Sequence, residues 1–143
     1  MRHWQYELEI GDGAAIPVLS PRRQRRGQVN YLSGLATEEA VERDYLQRGC
    51  QLLEKRWRGP GGEIDLIFRQ GDTIVFVEVK AAATHDIAAD RIQPRQAARI
   101  AASAEAYLDR LPQGSLTDMR IDVALVDGRG HLSVLENAFA GWW

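Results

Sequence analysis

The stretch Gly62-Glu63-Ile64-Asp65-Leu66-Ile67-Phe68-Arg69-Gln70-Gly71-Asp72-Thr73-Ile74-Val75-Phe76-Val77-Glu78-Val79-Lys80 decides how this chain reads. Two β-forming runs flank Gly71-Asp72, which has the composition of a two-residue hairpin turn. Side chains alternate along a strand, so Glu63 and Asp65 share one face while Ile64 and Leu66 take the other. In the second run Glu78 and Lys80 share a face, and Val77 and Val79 take its opposite. If Gln70 pairs with Thr73, Asp65 falls opposite Glu78 and Glu63 opposite Lys80. Opposed residues have Cβ atoms roughly 5 Å apart. Two carboxylates and a lysine then meet on one face of a hairpin whose other face is aliphatic.

Like charges set directly opposite each other destabilise a sheet, so folding alone gives no reason for Asp65 to face Glu78. A divalent cation removes the penalty, since Mg²⁺ (or Mn²⁺) takes one or two carboxylates and keeps waters for a phosphate substrate. A lysine beside it can orient a water or stabilise charge developing on a phosphoryl oxygen. The plain alternative is a solvated outer face with Glu63 and Lys80 as a surface pair, worth little. Spacing leaves both readings open. Usage leans toward the first: the chain has 16 Arg and only two Lys, Lys55 and Lys80. Lys80 fits a role that needs a compact point charge, which Arg does not supply.

Outward from the hairpin, residues 51–57 predict a strand leading into the turn Gly59-Pro60-Gly61-Gly62. That turn lacks the lysine and following helix of a phosphate loop. Residues 33–48 have helical periodicity with Gly49 as the stop. Leu35, Val41, Tyr45 and Leu46 form its apolar stripe, and Glu38, with Glu42 one turn later, falls inside it. An acid on the buried side of a helix is costly unless paired or bound to a metal. A boundary carboxylate reaching solvent is the alternative. Residues 81–90 read as a loop. Pro94 opens a helix to about residue 110, with Ala97, Ala101, Ala104, Leu108 and Leu111 as a small-residue stripe suited to close packing on a sheet. Strands over 119–126 and 131–135 follow, around Asp127-Gly128-Arg129-Gly130. The order α-β-β-β-α-β-β predicts an α/β domain with a central mixed sheet flanked by helices.

A chain of 143 residues with 45% hydrophobic and 27% charged residues suits one globular domain with its own core. Its boundaries read as an N-terminal arm or linker over 1–30 and a single domain over 31–143. One cysteine, Cys50, excludes a disulfide framework and reads as a small buried hydrophobe. No apolar run approaches the ~18 residues of a membrane span, so a soluble, cytoplasmic protein without membrane partners is expected. The net charge of −2 gives no global field that recruits nucleic acid. Residues 1–30 nevertheless carry five Arg against three acids, including Arg22, Arg23, Arg25 and Arg26. That cluster is either a solvated arm or a phosphate-contacting one. His3, His85 and His131 lack short-range ligand spacing and read as surface residues. Trp142-Trp143 reads as an interaction tail or as a segment folded onto the body.

Gly34-x-x-x-Glu38, Gly62-Glu63-Ile64-Asp65-Leu66-Ile67 and Val75-Phe76-Val77-Glu78-Val79-Lys80 together resemble the bacterial YraN-like family of endonuclease-like proteins. The similarity continues through Tyr107-Leu108, Ile121-Asp122-Val123 and Asn137-Ala138-Phe139. The strand pair resembles the D…ExK core of the restriction-endonuclease-like superfamily, which includes archaeal Holliday-junction resolvases. The resemblance implies that fold and a Mg²⁺- or Mn²⁺-dependent endonuclease acting on DNA, branched DNA included, with no small-molecule cofactor. It implies Asp65, Glu78 and the Val79 carbonyl as metal ligands, Lys80 as the residue orienting water or stabilising the transition state, and Glu38 as support. Roles for Glu63 and Asp122 are not implied. Two departures remove positive charge: Ala81-Ala82-Ala83 follows the ExK where a basic residue is usual, and Gln96 stands for a second-helix lysine. Arg95 and Arg99 flank Gln96 and, with the arm, are the expected DNA contacts. The rival expectation is a non-catalytic nucleic-acid-binding or assembly module that retains the fold. Monomer and homodimer are both open.

Overall fold

A computed structural model describes residues 4–9 and 23–140 of the chain. Strand β1 (Trp4–Glu9) precedes helix α1 (Arg23–Gln47). The expected hairpins follow as β2 (Gln51–Gly59), β3 (Gly62–Gln70) and β4 (Thr73–Ala81). Helices α2 (His85–Asp90) and α3 (Pro94–Leu108), a 3₁₀ turn (Gly114–Leu116), β5 (Asp118–Val126) and β6 (His131–Leu135) complete the order. The sheet runs β1-β6-β5-β4-β3-β2. Only the β4–β5 contact is parallel, with the α2–α3 crossover between the two strands; the other pairs are antiparallel. This is the expected α/β architecture with a mixed sheet.

Three expectations need correcting. The segment over 1–30 is not simply an arm, because Trp4–Glu9 pairs with β6 and Arg23 already lies in α1. The weak alternation of its first ten residues is that of an edge strand. The expected loop over 81–90 contains α2, whose start is capped by Thr84: its hydroxyl accepts the Ile87 N–H at 3.2 Å. On α1, Val41 and Tyr45 are buried as expected, but Leu46 is exposed and Ala40 takes its place in the core. Helix α1 closes with Gly49 at φ +87°. The Cys50 N–H reaches the Tyr45 carbonyl and the Gly49 N–H the Leu46 carbonyl, a Schellman end. Trp142-Trp143 lies outside the described residues.

Apolar side chains form two clusters, one on each face of the sheet. Ile67, Ile74, Phe76, Ile121, Val123 and Leu125 pack under α2 and α3 with Ala97, Ile100, Ala104 and Tyr107. Leu66, Phe68, Val75, Val77, Ala124 and Val126 pack under α1 with Val41, Tyr45 and Cys50. Tyr45 stacks on Phe68 with ring centroids 4.6 Å apart. The hairpin tip Gly59–Gly62 docks on α3. Ser103 Oγ accepts the Gly61 N–H at 3.0 Å and donates to the Gly62 carbonyl at 2.8 Å. A Cβ on Gly61 would sit 1.9 Å from the Arg99 carbonyl oxygen, so only glycine permits this approach.

Asp122 is fully buried on the α1 side of the sheet. Its carboxylate accepts from the Tyr45 hydroxyl (2.7 Å), Arg120 Nε (3.1 Å) and the Asn137 N–H (3.0 Å). Every element it touches is thereby tied to β5. Tyr45→Phe removes the bond from α1 and should lower the free energy of urea unfolding by about 1.5–3 kcal/mol, the range for hydrogen bonds to a charged group. An unchanged midpoint would show that Asp122 is adequately held by Arg120 and Asn137 alone.

Candidate active site

The β3–β4 register starts from Gln70 opposite Thr73 and runs to Leu66 opposite Val77, where the ladder ends. The expected Asp65–Glu78 pair would come next. Instead, Asp65 Oδ2 accepts the backbone N–H of Val79 at 2.8 Å, standing in for a main-chain partner as the strands part. On the other side, β2 pairs Lys55 with Leu66 and Trp57 with Ile64, while Arg56 between them adopts a left-handed backbone at φ +50°. Asp65 thus sits where the β3–β4 ladder ends, beside the left-handed Arg56 of a β2–β3 register that continues on either side of it. The pleat changes as well: Ile64 joins the α3-side cluster while Leu66 joins the α1-side one. The expectation that the two share a face fails there, where the β3–β4 ladder ends and the left-handed Arg56 interrupts the neighbouring strand.

The parting strands leave the carboxyl groups of Asp65 and Glu78 beside each other. Burial, and then the Glu78 carboxylate beside it, push the Asp65 carboxyl up to about 7, against the opposing pull of the Val79 N–H. Glu78 is 7% exposed, and its Oε2 accepts from two α3 side chains, Gln96 Nε2 at 3.2 Å and Arg99 Nη2 at 3.3 Å. From α1, half-buried Glu38 accepts from Arg56 Nε at 3.2 Å. Burial and the negative charges of Asp65 and Glu63 raise its carboxyl, while Arg56 lowers it. Lys80 is half-buried and paired with Leu125 through the backbone, and its side chain has no hydrogen bond or ion pair among the described residues.

The other candidates are placed apart. Glu63 makes a long 3.8 Å contact with the exposed Arg58. Glu42 is taken up by Lys55 at 2.7 Å. Arg95 is exposed on α3, whereas Arg99 is engaged with Glu78. Arg22 lies outside the described residues, as do the side chains of Arg23, Arg25 and Arg26. Half-buried His85 is not a surface residue: its Nε2 lies 2.8 Å from the His131 carbonyl oxygen. Asp127 sits beside both imidazoles and accepts the Arg129 and His131 N–H groups, so that the loop after β4 is clasped to the β5–β6 turn. A hollow of about 390 Å³ lined by Arg69, Ile74, Leu111, Pro112, Leu116 and Asp118 does not include the carboxylate pair. Sequence periodicity does not reveal Arg56 or Gln96 as neighbours of the acids; Gln96 is singled out only by the resemblance, as the position of a second-helix lysine.

Among the described residues no group of three or more His, Cys, Asp or Glu side chains is gathered to hold a metal. Two adjacent carboxylates nonetheless fit a hard cation, which needs one or two such ligands and fills its remaining positions with water. The donor set contains no sulfur or imidazole, which disfavours softer metals. The arrangement is that of an α/β protein with an under-satisfied acid pair at the parting of two central strands.

Residues 37–126 match the uncharacterised protein family UPF0102. The chain is 51% identical to the UPF0102 protein of Ruegeria sp. strain TM1040 and 53% identical to that of Ruegeria pomeroyi. Each alignment covers 80% of this chain, and 92% and 93% of the respective relatives. A relative from Cereibacter sphaeroides is 47% identical, over 80% of this chain and 97% of its own. The chain belongs to the UPF0102 family. No helix among the described residues is long and apolar enough to cross a membrane.

Asp65 titrates higher in the fold than the ordinary 3.8 of an exposed aspartate. Protonation therefore favours the folded state: the contribution is complete below about pH 4 and is lost as pH rises through about 7. Asp65→Asn, which can keep the Val79 bond, should be more stable than wild type at pH 8 in EDTA, with the gap closing toward pH 4. Asp65→Ala abandons the Val79 N–H and should be less stable than Asp65→Asn by about 1–3 kcal/mol. Urea titrations of the three proteins at both pH values measure this; a gap that does not change with pH would deny the repulsion.

Proposed function

We propose that the protein is a Mg²⁺- or Mn²⁺-dependent phosphodiesterase acting on DNA, of the restriction-endonuclease-like kind that its D…ExK strand pair resembles. One observation carries the reading: half-buried Asp65 and buried Glu78 stand side by side at the parting of β3 and β4, with Lys80 two residues on, its side chain without an ion pair among the described residues. Stability alone gives no reason for that pairing, because the acids repel each other and burial raises the cost.

Asp65 and Glu78 would hold the ion, with the Val79 carbonyl as a further ligand. The Val79 N–H bond to Asp65 fixes that stretch of backbone against the carboxylate. The ion supplies Lewis acidity and lowers the pKa of a bound water. Lys80 places a point charge from the same strand, suited to orienting the attacking water or to meeting charge on a phosphoryl oxygen. Glu38, braced by Arg56, supports the acids from α1. Water attacks phosphorus in line with the departing sugar oxygen, and the P–O bond to that oxygen breaks as the new one forms. DNA contacts fall to Arg95 and Arg99 on α3 and to Arg22, Arg23, Arg25 and Arg26.

A second reading, a nucleic-acid-binding module without catalysis, is favoured by one observation. Gln96 and Arg99 already occupy Glu78, in a protein whose net charge is −2.

Cleavage assays on duplex and branched DNA with Mg²⁺ separate the two. Asp65→Asn, Glu78→Gln and Lys80→Ala should each lose about 100-fold or more, and Lys80→Arg should fail as well, since a planar fork does not replace a point charge. Glu42→Gln, whose partner is Lys55, should retain activity. An active Lys80→Arg enzyme would reduce Lys80 to charge balance, and a wild type that binds but never cuts would establish the second reading. For binding, replacing Arg22, Arg23, Arg25 and Arg26 by Gln should flatten the log–log salt slope by about 0.9 for each phosphate no longer neutralised. An unchanged slope would assign the cluster to solvent.

A further inference from the structure

We propose that Arg99 is a latch on Glu78, released by substrate phosphate, so that divalent metal and phosphodiester bind to this protein cooperatively. The inference rests on the metal-dependent reading above and concerns how that site is regulated.

Glu78 is nearly inaccessible, and the side chains bonded to it from α3 are one cation and one neutral amide. Both donate to Oε2, so the guanidinium already supplies the positive charge that the buried carboxylate needs. A divalent ion between Asp65 and Glu78 would lie beside that guanidinium and compete with it for the same carboxylate. Free protein should therefore bind metal weakly. The hold is light, however. Arg99 reaches Glu78 at 3.3 Å and the Gly61 carbonyl at 3.4 Å, both at the long end of hydrogen bonding. Its side chain is 41% exposed, in contrast to that of Glu78, so a phosphate arriving from solvent meets Arg99 first. Guanidinium pairs with phosphate through two parallel N–H bonds, a better match than one long bond to a carboxylate oxygen.

The hairpin tip gives the latch its room. A Cβ on Gly62 would stand 2.6 Å from Arg99 Nη1, and Gly61 and Gly62 are fixed in place by Ser103. Gln96 has the complementary part. When Arg99 leaves, the Gln96 amide can still bond Oε2, holding the carboxylate in place without a charge that opposes the metal.

The test is Mn²⁺ binding by calorimetry to the full chain without DNA, followed by DNA affinity with and without Mn²⁺. Arg99→Gln keeps a neutral donor toward Glu78 and guards against the misfolding that Arg99→Ala risks by stranding a buried charge; thermal melts verify both. Each variant should bind Mn²⁺ about tenfold more tightly than wild type, within the usual range for coupled sites. By reciprocity, Mn²⁺ should raise the DNA affinity of wild type by a similar factor and that of the variants little. If wild type and both Arg99 variants bind Mn²⁺ equally while Asp65→Asn does not, the latch is overturned and the metal site stands. If Asp65→Asn binds Mn²⁺ as wild type does, or no form binds it, the metal reading itself falls, and the latch with it.

Discussion

The hydrogen bond from the Val79 N–H to Asp65 Oδ2 is the point on which the rest of the arrangement depends. An antiparallel ladder cannot simply stop inside a protein, because the next N–H and C=O groups would be stranded away from water. Here the ladder stops after Leu66–Val77, and a side-chain carboxylate replaces the missing main-chain acceptor. That exchange lets β3 and β4 part without an orphaned donor at Val79. It also commits one Asp65 oxygen to the backbone and so holds the carboxyl beside Glu78. The divergence of the strands and the pairing of the acids are therefore one structural event.

The cost of that event is borne by the layers above and below. Val75, Val77, Ala124 and Val126 on one face, with Ile74, Phe76, Val123 and Leu125 on the other, make the centre of the sheet apolar on both sides. Burial of this kind stabilises by roughly 25 cal/mol per Å² of apolar surface, enough over many side chains to tolerate a repulsive acid pair at one end. The parallel β4–β5 contact is typical of strands covered on both faces, and it places Glu78 in the interior of the sheet rather than at an edge. An edge strand would leave the same acids in water, with no displaced proton affinity.

Much of this was legible before the fold was seen, and the misses have physical causes. The Gly71-Asp72 turn set the register, so Gln70–Thr73 and every pair down to Leu66–Val77 followed from counting. Counting failed one step later because alternation presumes regular strands on both sides, and between Leu66 and Ile64 the β4 partner is gone and β2 holds the left-handed Arg56. The α3 side chains on Glu78 entered only through the resemblance, as a place where positive charge is lost and as a DNA contact, not as partners of the acid. They are 18 and 21 residues away, and their approach is governed by glycines whose need is visible only when Ser103 and Arg99 are beside them. Thr84 and Ile87 carried the signal for α2, but a six-residue helix is too short for periodicity to announce.

Asp122 and Asp65 show how the same side chain can serve two ends. Both are carboxylates on adjoining regions of one sheet, and Asp122 is the more deeply buried. Yet Asp122 collects a hydroxyl, a guanidinium and a backbone N–H, so its charge is fully answered and it joins α1, β5 and the segment after β6. Asp65 receives one N–H and faces a second acid. Burial by itself therefore does not mark a chemical site, since a buried acid with complete hydrogen bonding is structural. The mark is incomplete satisfaction that the fold sustains. Asp65 has a second acid beside it, and Glu78 is answered by an exposed arginine and an amide on long bonds, so neither acid is matched as Asp122 is.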